Sequence, residues 1–242
     1  MYSNGIVQKS CGSRKKMKIL SVGKEIRHQG LEIVSITEPE LRHEHSVEQY
    51  SYVIINGGDG MIRRVLRQLH NLRSPPQFIL NPTGSFNVVA KIHRVPSLDK
   101  VLEKLANGEP LQVEKHHLFR LNDDVFLFSA GNMGDLQHIF LSETFRFGWL
   151  KHGIAKYILA ALFLLPAHLI MTPFMLMSSK RFFIFTPLRF IKKFGSFYGE
   201  VGDITIDLDN EYNMLELDGD IVTIHARHLH IRQAGNVPVV IK

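Results

Sequence analysis

A short glycine-rich segment combines the groups that bind phosphate and move protons. Residues 56–61 read NGGDGM, so three glycines and a carboxylate lie within six residues. Glycines let backbone N–H groups approach phosphate oxygens closely, and the N-terminus of a following helix adds partial positive charge. Asp59 in such a loop suits a base that accepts a proton from an attacking hydroxyl, or a metal ligand. The alternative is a tight strand-to-helix turn in which Asp59 caps the helix.

A second polar segment, residues 82–87, reads PTGSFN. The hydroxyls of Thr83 and Ser85 and the amide of Asn87 can donate hydrogen bonds to phosphate or ribose oxygens. Pro, Gly, Ser and Asn are also ordinary turn residues, so the segment alone has little specificity.

A third segment, residues 217–220, reads LDGD and carries two carboxylates around one glycine. Asp218 and Asp220 suit a metal ligand or a base. Asp-Gly is also a common hairpin turn, and for this segment taken by itself we favour the hairpin.

Alternating strand and helix patterns place each of the first two polar segments in a loop directly after a predicted strand. Residues 52–55 and 78–80 are short apolar runs typical of strands, and each ends at one of these loops. Residues 61–69 and 98–105 have apolar side chains at helical spacing, with Ser97 as a candidate N-cap and Gly108 as a stop signal. Repeated strand, loop and helix predict a parallel α/β layer.

The pattern changes after about residue 110. Short strand-like runs separated by Asn, Asp and Gly predict a mostly antiparallel, β-sandwich-like second half. We therefore predict an α/β nucleotide-binding domain over residues 1–112 and a β-rich lipid or substrate domain over residues 113–242. An apolar helical insertion is expected at about residues 150–197.

The apolar part of this insertion has no charged side chain from residue 157 to residue 177. A run of about 20 residues could span a bilayer, but Pro166 and Pro173 argue against one straight helix. Lysines, arginines and phenylalanines alternate through residues 180–197. Such a mixture favours contact with an anionic membrane surface. Two alternatives remain at this stage, a surface-bound or re-entrant element and a helix buried in the protein core.

Composition limits the class of protein. The 242 residues carry 29 Lys and Arg against 23 Asp and Glu, a formal charge of +6, and 45% are hydrophobic. A chain of this composition can bury a core. Its one cysteine, Cys11, excludes an internal disulfide and a multi-cysteine zinc site.

The start of the sequence lacks a secretory apolar run, so we expect a cytoplasmic protein. No nucleic-acid-binding motif occurs, and we expect no nucleic-acid partner.

Histidines are numerous, with 13 in the chain. His225, His228 and His230 lie close together in the sequence, but no cysteine and no pair of acidic residues stands beside them to complete a metal site. We favour ordinary strand histidines over a zinc site there, as we do at His116 and His117.

Taken in order, the three polar segments resemble the diacylglycerol kinase catalytic superfamily, which includes bacterial lipid kinases and sphingosine kinases and, more distantly, NAD kinase. The matching motifs are the GGDG loop at 57–60, the P-x-G-[ST]-x-N loop at 82–87 and the late D-G-acid motif at 218–220. Residues 126–134 resemble the family's strand and glycine turn, and residues 151–157 resemble its K-x-G-x-x-x-Y helix start.

This resemblance implies a nucleotide-binding α/β domain followed by a β-rich domain, with the active site in the cleft between them. Asp59 matches the residue proposed as base, or as part of the base network, in sphingosine and NAD kinases. Asp220 matches the proposed base of bacterial lipid kinases, with Asp218 ahead of it. The matching nucleotide-binding positions are Gly57, Gly58, Asp59, Gly60, Met61, Thr83, Gly84, Ser85, Asn87 and, in a loose alignment, Thr37.

The function implied is an ATP- and Mg²⁺-dependent lipid kinase at the inner face of the membrane, with a lipid such as diacylglycerol or a sphingoid base as acceptor. Two alternatives are a kinase of a soluble substrate such as NAD and a catalytically degenerate nucleotide- or lipid-binding module. The degenerate module is motivated by departures from the family pattern. Met61 stands where the family has a threonine hydroxyl, Arg63 and Arg64 where Asn-Glu is common, Val88 where it has an aspartate, and Asp220 where it has the longer glutamate. Whether a homodimer forms through an exposed strand edge stays open.

Overall fold

A computed structural model describes the chain over residues 17–44, 46–69, 72, 74–84, 87–132, 182–186, 190–193, 196–198 and 203–241, together with six residues between 158 and 169. The strands are β1 (Lys18–Val22), β2 (Glu32–Ile36), β3 (Tyr52–Gly57), β4 (Gln77–Pro82), β5 (Gln112–Leu121), β6 (Asp124–Phe126), β7 (Ser129–Gly131), β8 (Phe182–Phe185), β9 (Phe190–Lys193), β10 (Ser196–Tyr198), β11 (Ile204–Asp207), β12 (Tyr212–Leu217), β13 (Asp220–His225) and β14 (His228–Ile241). The α-helices are α1 (Asp59–Leu69), α2 (Val88–Ile92) and α3 (Leu98–Ala106), and two short 3₁₀ turns cover Glu40–His43 and Val47–Gln49.

The first half forms the predicted parallel layer. Strands β2, β1, β3 and β4 lie side by side in that order and are all parallel. The middle residues of β3, Val53 to Ile55, are fully buried, as expected for a strand covered on both faces. The α/β prediction for this half is confirmed.

Helices α1 and α3 cover opposite faces of this layer. Ile62, Val65, Leu66 and Leu69 recur at helical spacing along α1 and join the cluster that contains Val53 and Ile55. On the other face, Val101, Leu102 and Leu105 of α3 join the cluster that contains Ile19, Ile54 and Ile79. The alternation of side chains along each strand directs neighbouring residues to different helices.

Two long strands carry the chain from the α/β layer into the β-rich half. β14 is parallel to β4 near its end and antiparallel to β5 along most of its length, with a bulge between Gln233 and Gly235. β6 and β11 extend the same sheet. Because β5 and β14 are shared in this way, the proposed domain boundary near residue 112 stays a prediction about chain organisation.

The β-rich half adds a separate antiparallel sheet of strands in the order β10, β9, β8, β7, β12 and β13. A third core cluster contains side chains of both sheets, among them Phe119 and Ile231 of the first and Ile184 and Leu215 of the second. Two sheets packed through one apolar core form a sandwich-like layer pair, which confirms the β-rich prediction.

The order of the parallel strands marks a position for a ligand. The chain passes from β1 outward to β2 and then returns to place β3 on the other side of β1. Open α/β sheets bind ligands outside the carboxyl ends of their strands at such a reversal. The loops after β1 and β3 lie at this point, and the loop after β4 lies beside them.

Most of the predicted apolar insertion lies outside the described residues. The prediction that it is helical is wrong at its C-terminal end, where β8, β9 and β10 belong to the second sheet. The described residues earlier in the insertion include Ile158, Leu162, Leu165 and Leu169, which are helical and between 50% and 71% exposed. Their spacing of four, three and four residues is the spacing at which side chains of a helix share one face. These four side chains are therefore not in the protein core, and they form what we call the apolar stripe.

Among the described residues, no helix has both the length and the apolar character needed to cross a membrane.

Candidate active site

The GGDG loop connects β3 to α1 in a space that only glycine fits. A Cβ atom on Gly84 would lie 2.6 Å from the Cα of Gly58, so the backbones of the loops after β3 and β4 touch. Thr83 N–H also donates to the carbonyl of Gly57 over 3.2 Å. The structure thus brings two of the three predicted segments into direct contact, because neighbouring parallel strands end at the same edge.

Asp59 is the first residue of α1 but caps a different helix. Its two carboxylate oxygens accept the backbone N–H groups of Val88 and Val89 over 2.7 and 3.1 Å, at the start of α2. The side chain is buried, and this burial raises the pKa of Asp59 against the opposing effect of the two N–H donors. A carboxylate has about four acceptor sites, so capping leaves capacity for a further hydrogen bond.

Asn87 closes the loop that follows β4. Its side-chain oxygen accepts the N–H of Gly84 over 3.0 Å, and its side-chain nitrogen donates to the carbonyl of Gly84 over 2.7 Å. Asn87 itself has a φ of 50°, a left-handed conformation that asparagine tolerates better than most residues. Ser85 lies outside the described residues. The predicted contacts of Thr83, Ser85 and Asn87 with nucleotide stay predictions.

Met61 fills space at the strand reversal. A Cβ on Gly57 would lie 2.6 Å from its Cγ, and a Cβ on Gly23 would lie 2.7 Å from its Cε. The thioether therefore packs between the loops that follow β1 and β3, where the family pattern has a hydroxyl. The predicted phosphate contact at this position has an apolar side chain in its place.

A polar network that the sequence did not reveal ties these strand ends together. The buried amide of Asn56 donates to Ser21 Oγ and to the carbonyl of Val22, each over 3.0 Å, and its oxygen accepts from Asn81 over 2.7 Å. Three neighbouring strands are thus joined by side chains directly below the loops. The only sign of this network in the sequence is an asparagine, Asn56, directly after the apolar run of residues 52–55.

Thr37 borders a cleft of about 400 Å³ beside the ends of β1 and β2. The cleft is also lined by Gly23, Lys24 and Ser35, while the backbone N–H of Thr37 donates to Glu40 Oε2 over 2.7 Å. The loosely aligned threonine therefore lies at the correct edge of the sheet for a nucleotide contact.

Asp218 and Gly219 form the turn of the β12–β13 hairpin, as the Asp-Gly signal indicated, and Asp220 follows as the first residue of β13. Asp218 and Gly219 have φ angles of 52° and 86°, which a type I′ turn requires. Asp218 is only 2% exposed and accepts the backbone N–H groups of Leu127, Phe128 and Ser129. Burial raises the pKa of Asp218 to about 8 despite these donors. The carboxyl thereby fixes the hairpin to the segment between β6 and β7.

Asp220 faces the GGDG loop from the β-rich half. A Cβ on Gly60 would lie 2.7 Å from Asp220 Cγ, so the carboxylate packs directly on the first turn of α1. Its Oδ2 pairs with Arg63 Nη2 over 3.0 Å and with Arg64 Nη1 over 2.7 Å. The third predicted segment therefore meets the first, and two guanidinium groups hold it there.

The two arginines extend this contact into a charge network. Arg63 is 3% exposed and pairs through Nη1 with Asp124 over 2.9 Å, and Arg67 Nε lies 3.3 Å from the same Asp124 oxygen. Arg64 Nε lies 3.5 Å from Glu38 Oε2. We call these residues, with Asp220, the arginine network. Sequence reasoning marked the arginines only as departures from a family pattern, and nothing in the sequence indicated Asp124 or Glu38.

The tight contact at Gly60 leads to a testable expectation. In the Gly60→Ala variant the new methyl group would overlap the Asp220 carboxylate and force the hairpin away, so we expect a loss of about 1–3 kcal/mol in the free energy of unfolding. Urea denaturation measures it. Removing the Asp220 carboxylate as well, in Gly60→Ala/Asp220→Ala, should make the alanine at residue 60 cost much less than it does alone. Strict additivity of the two substitutions would contradict the contact.

Two buried histidines hold the other end of α2. His93 Nδ1 lies 2.9 Å from Glu114 Oε2, its Nε2 lies 2.6 Å from His116 Nδ1, and His116 Nε2 reaches the carbonyl of Leu127 over 3.3 Å. Each short contact needs one donor and one acceptor. Burial, with the nearby His93, lowers the pKa of His116 to about 4.

This low pKa predicts an acid-sensitive stability. Because the unfolded histidine takes up a proton near pH 6.5, the folded state loses stability as the pH falls from 6.5 through 4, by about 3 kcal/mol in total from His116. We expect His116→Gln to unfold with a shallower dependence on pH over this window, measured by urea titrations at pH 7, 5.5 and 4.5. His93, Glu114 and His117 act electrostatically on the ring and remain in both proteins. An unchanged slope would contradict the assignment.

The histidines near the C-terminus make other contacts. His228 Nδ1 lies 2.7 Å from Asp207 Oδ1, His230 Nδ1 lies 3.1 Å from Thr205 Oγ1, and the ring of His225 packs edge-on against Tyr212. Within the described part of the chain, no three His, Cys, Asp or Glu side chains are grouped so as to hold a metal ion.

Comparisons with known proteins agree with this arrangement. Residues 6–117 match the family model of the diacylglycerol kinase catalytic domain. None of the curated proteins compared with the chain matches it.

Two solved structures share the fold over nearly the whole length. A diacylglycerol kinase from Bacillus anthracis strain Sterne is 12% identical, with a TM-score of 0.57 over 94% of this chain and 97% of that one. A candidate diacylglycerol kinase from the same organism is 11% identical, with a TM-score of 0.54 and the same coverage. At this identity the likeness establishes the fold. The three polar segments occur in the order found in the diacylglycerol kinase catalytic superfamily, and the match to its catalytic-domain model covers residues 6–117, somewhat less than half of the chain.

Proposed function

We propose that this protein is an ATP-dependent lipid kinase that transfers the γ-phosphoryl group to a hydroxyl of a membrane lipid, such as diacylglycerol or a sphingoid base. The observation that carries the proposal is the convergence of three loops from distant parts of the sequence. Gly58 touches Gly84, and Asp220 packs against Gly60 two residues further on, near the reversal point of the sheet. Phosphoryl transfer depends on positioning and on charge neutralisation, which such a convergence of backbone N–H groups and charged side chains can supply.

The nucleotide would lie along the carboxyl ends of the parallel strands. The first turn of α1 offers N–H groups and partial positive charge to phosphates. The cleft beside Thr37 and Gly23 has room for further parts of the nucleotide. Mg²⁺ usually binds through one or two carboxylates together with substrate phosphates, so the lack of a protein cage among the described residues is compatible with it. Asp220 already pairs with Arg63 and Arg64, so we assign the ion no ligand among the described side chains; held by the nucleotide, it would neutralise charge on the phosphates.

We assign proton acceptance to Asp59. Its raised pKa makes the carboxylate a stronger base than an exposed aspartate, and its oxygens retain acceptor capacity beyond the cap on α2. The lipid oxygen would attack the γ-phosphorus, its proton would pass to Asp59, and ADP would leave. Asp218 is almost fully buried and accepts three N–H groups, so we give it a structural role in holding the hairpin.

Contact with an anionic membrane surface would present the lipid hydroxyl to the cleft. The apolar stripe supports this part of the proposal, because its four large side chains are exposed and recur at the spacing of one helical face. Basic and aromatic residues of 180–197 follow it in the sequence, although one of them, Phe182, is buried in the core and takes no part in such a contact. Cations near an anionic leaflet contribute about 1 kcal/mol each. Co-sedimentation with phosphatidylserine vesicles tests the contact, and protein that stays in the supernatant at low salt would contradict it.

Transfer of label from γ-labelled ATP to lipid tests the function itself. Purified protein would be incubated with Mg²⁺ and mixed micelles that contain diacylglycerol, sphingosine or neither. We expect a labelled lipid with one acceptor class and none after chelation of the metal by EDTA. Label on NAD but on no lipid would favour a soluble-substrate kinase instead.

A second candidate function is a nucleotide- or lipid-binding module without turnover. Met61 favours it, because its side chain occupies space at the strand reversal where the family pattern has a hydroxyl. The engagement of Asp220 by two arginines favours it as well. Nucleotide binding in calorimetry, combined with no labelled product from folded protein, would establish this function and exclude the kinase.

A further inference from the structure

A second cavity lies on the other face of the parallel layer, away from the GGDG loop. It has a volume of about 490 Å³ and opens between α3, the segment before it, and the ends of β5 and β14. Small-molecule sites commonly have volumes of about 300–1,000 Å³. Five of its lining residues are apolar: Val95, Pro96, Val101, Leu111 and Ile241.

The remaining lining residues are Ser97, Lys100 and Lys104. The two lysines are four residues apart in α3 and therefore lie one above the other on the same side of the helix. Like charges at this spacing repel each other. Within the described ranges, neither ammonium group lies in an ion pair with a carboxylate. Two lysines next to an apolar cavity thus offer charge to a ligand.

This cavity is separate from the candidate active site. Val101 packs in the cluster with Ile19, Ile54 and Ile79, on the sheet face opposite α1. Asp59 and Asp220 lie at the α1 side of the strand ends. An occupant of the cavity would therefore leave the GGDG loop and the arginine network uncovered.

We propose that the cavity binds one molecule of a single-chain anionic amphiphile. Its hydrocarbon chain would pack against the five apolar residues, and its phosphate or carboxylate headgroup would pair with Lys100 and Lys104. Lysine suits this position, because its methylene stem extends the apolar surface while its ammonium group stays at the mouth. The proposed ligand is a single dissolved molecule and not a membrane surface. The apolar residues line a concave cavity, whereas contact with a membrane would need a protruding apolar face. It does not depend on kinase activity.

Calorimetric titration with decyl phosphate below its critical micelle concentration tests the site. We expect wild-type protein to bind it with a stoichiometry near one, and 1-decanol at least tenfold more weakly. The variant Lys100→Ala/Lys104→Ala should bind decyl phosphate at least tenfold more weakly than wild type. The matched control Lys18→Ala/Lys115→Ala removes the same charge outside the cavity and should stay within twofold of wild type.

A second variant tests the apolar part of the site without altering charge. Leu111→Trp would fill the space and should abolish binding of both ligands, with circular dichroism and a urea titration used to confirm that it is folded. The proposal is overturned if decyl phosphate does not bind, or if it binds equally well to the alanine variant and to the matched control. It is also overturned if the lysines affect binding to phosphatidylserine vesicles but not to decyl phosphate.

Discussion

The Arg63→Met variant is expected to lose about 3–5 kcal/mol in its free energy of unfolding. Arg63 is buried and bridges Asp124 of β6 and Asp220 of the hairpin over 2.9 and 3.0 Å. Methionine keeps most of the side-chain volume but removes the charge, so both carboxylates lose a partner in a poorly solvated place. Removing one member of a buried pair costs much more than the pair contributes, because the remaining charge stays desolvated. Urea denaturation at pH 7 measures the change.

Arg67 provides the matched control for this experiment. It approaches the same Asp124 oxygen over 3.3 Å, but its side chain is 51% exposed. Exposed ion pairs contribute about 0–1 kcal/mol, so Arg67→Met should have a small effect. If both methionine variants lose the same stability, the buried bridge does not hold the two halves together. The triple variant Arg63→Met/Asp124→Asn/Asp220→Asn should recover part of the loss, since it leaves no buried charge unpaired.

Asp59→Asn is expected to lower the rate of phosphoryl transfer by a factor of about 10²–10⁴, the range typical for loss of a positioned proton acceptor. Asparagine has nearly the same shape but can accept no proton at neutral pH. It also retains only one carbonyl oxygen, so one of the two N–H groups of Val88 and Val89 would face an NH₂ group. The measurement is the turnover number with saturating ATP and lipid, beside the wild type.

Two effects of Asp59→Asn must be told apart, namely disruption of the loop and of the α2 cap, and loss of the proton acceptor. Hydrogen exchange at Val88 and Val89 reports on the cap of α2, and nucleotide binding by calorimetry reports on the site. A catalytic role predicts that turnover falls far more than nucleotide affinity. If turnover and affinity fall together, Asp59 only maintains the loop. If turnover is unchanged although exchange at α2 increases, Asp59 is not the proton acceptor.

Three of the five departures from the family pattern form one physical unit in the structure. Arg63, Arg64 and Asp220 each depart from the motif when compared position by position. In the structure, however, the two arginines pair directly with the Asp220 carboxylate. Their positive charges are balanced by Asp220, Asp124 and Glu38. The arginine network therefore links the GGDG helix to the β-rich half through ion pairs, which explains how the hairpin is held at the loop in this protein.

Local patterns were sufficient for most of the regular structure. The apolar spacing of residues 61–69 predicts α1 because a helix must bury one continuous face, and the structure begins that helix only two residues earlier. Asp218-Gly219 predicts a hairpin because both residues tolerate positive φ. The long partnership of β5 and β14 was not predictable, since their residues lie more than 100 positions apart and pairing of strands leaves no mark in either sequence alone.

The sequence by itself determined the class of fold, the three polar segments and the resemblance to a kinase family, because these depend on residue types at short spacing. Only the tertiary structure decided what each carboxylate touches. Asp59 caps a helix that begins 29 positions later in the chain, Asp218 accepts N–H groups from residues about 90 positions away, and Asp220 pairs with arginines 156 and 157 positions before it. Burial and hydrogen bonding control whether a carboxylate is a base, a cap or an ion-pair partner, and both arise from contacts between segments that no local pattern records.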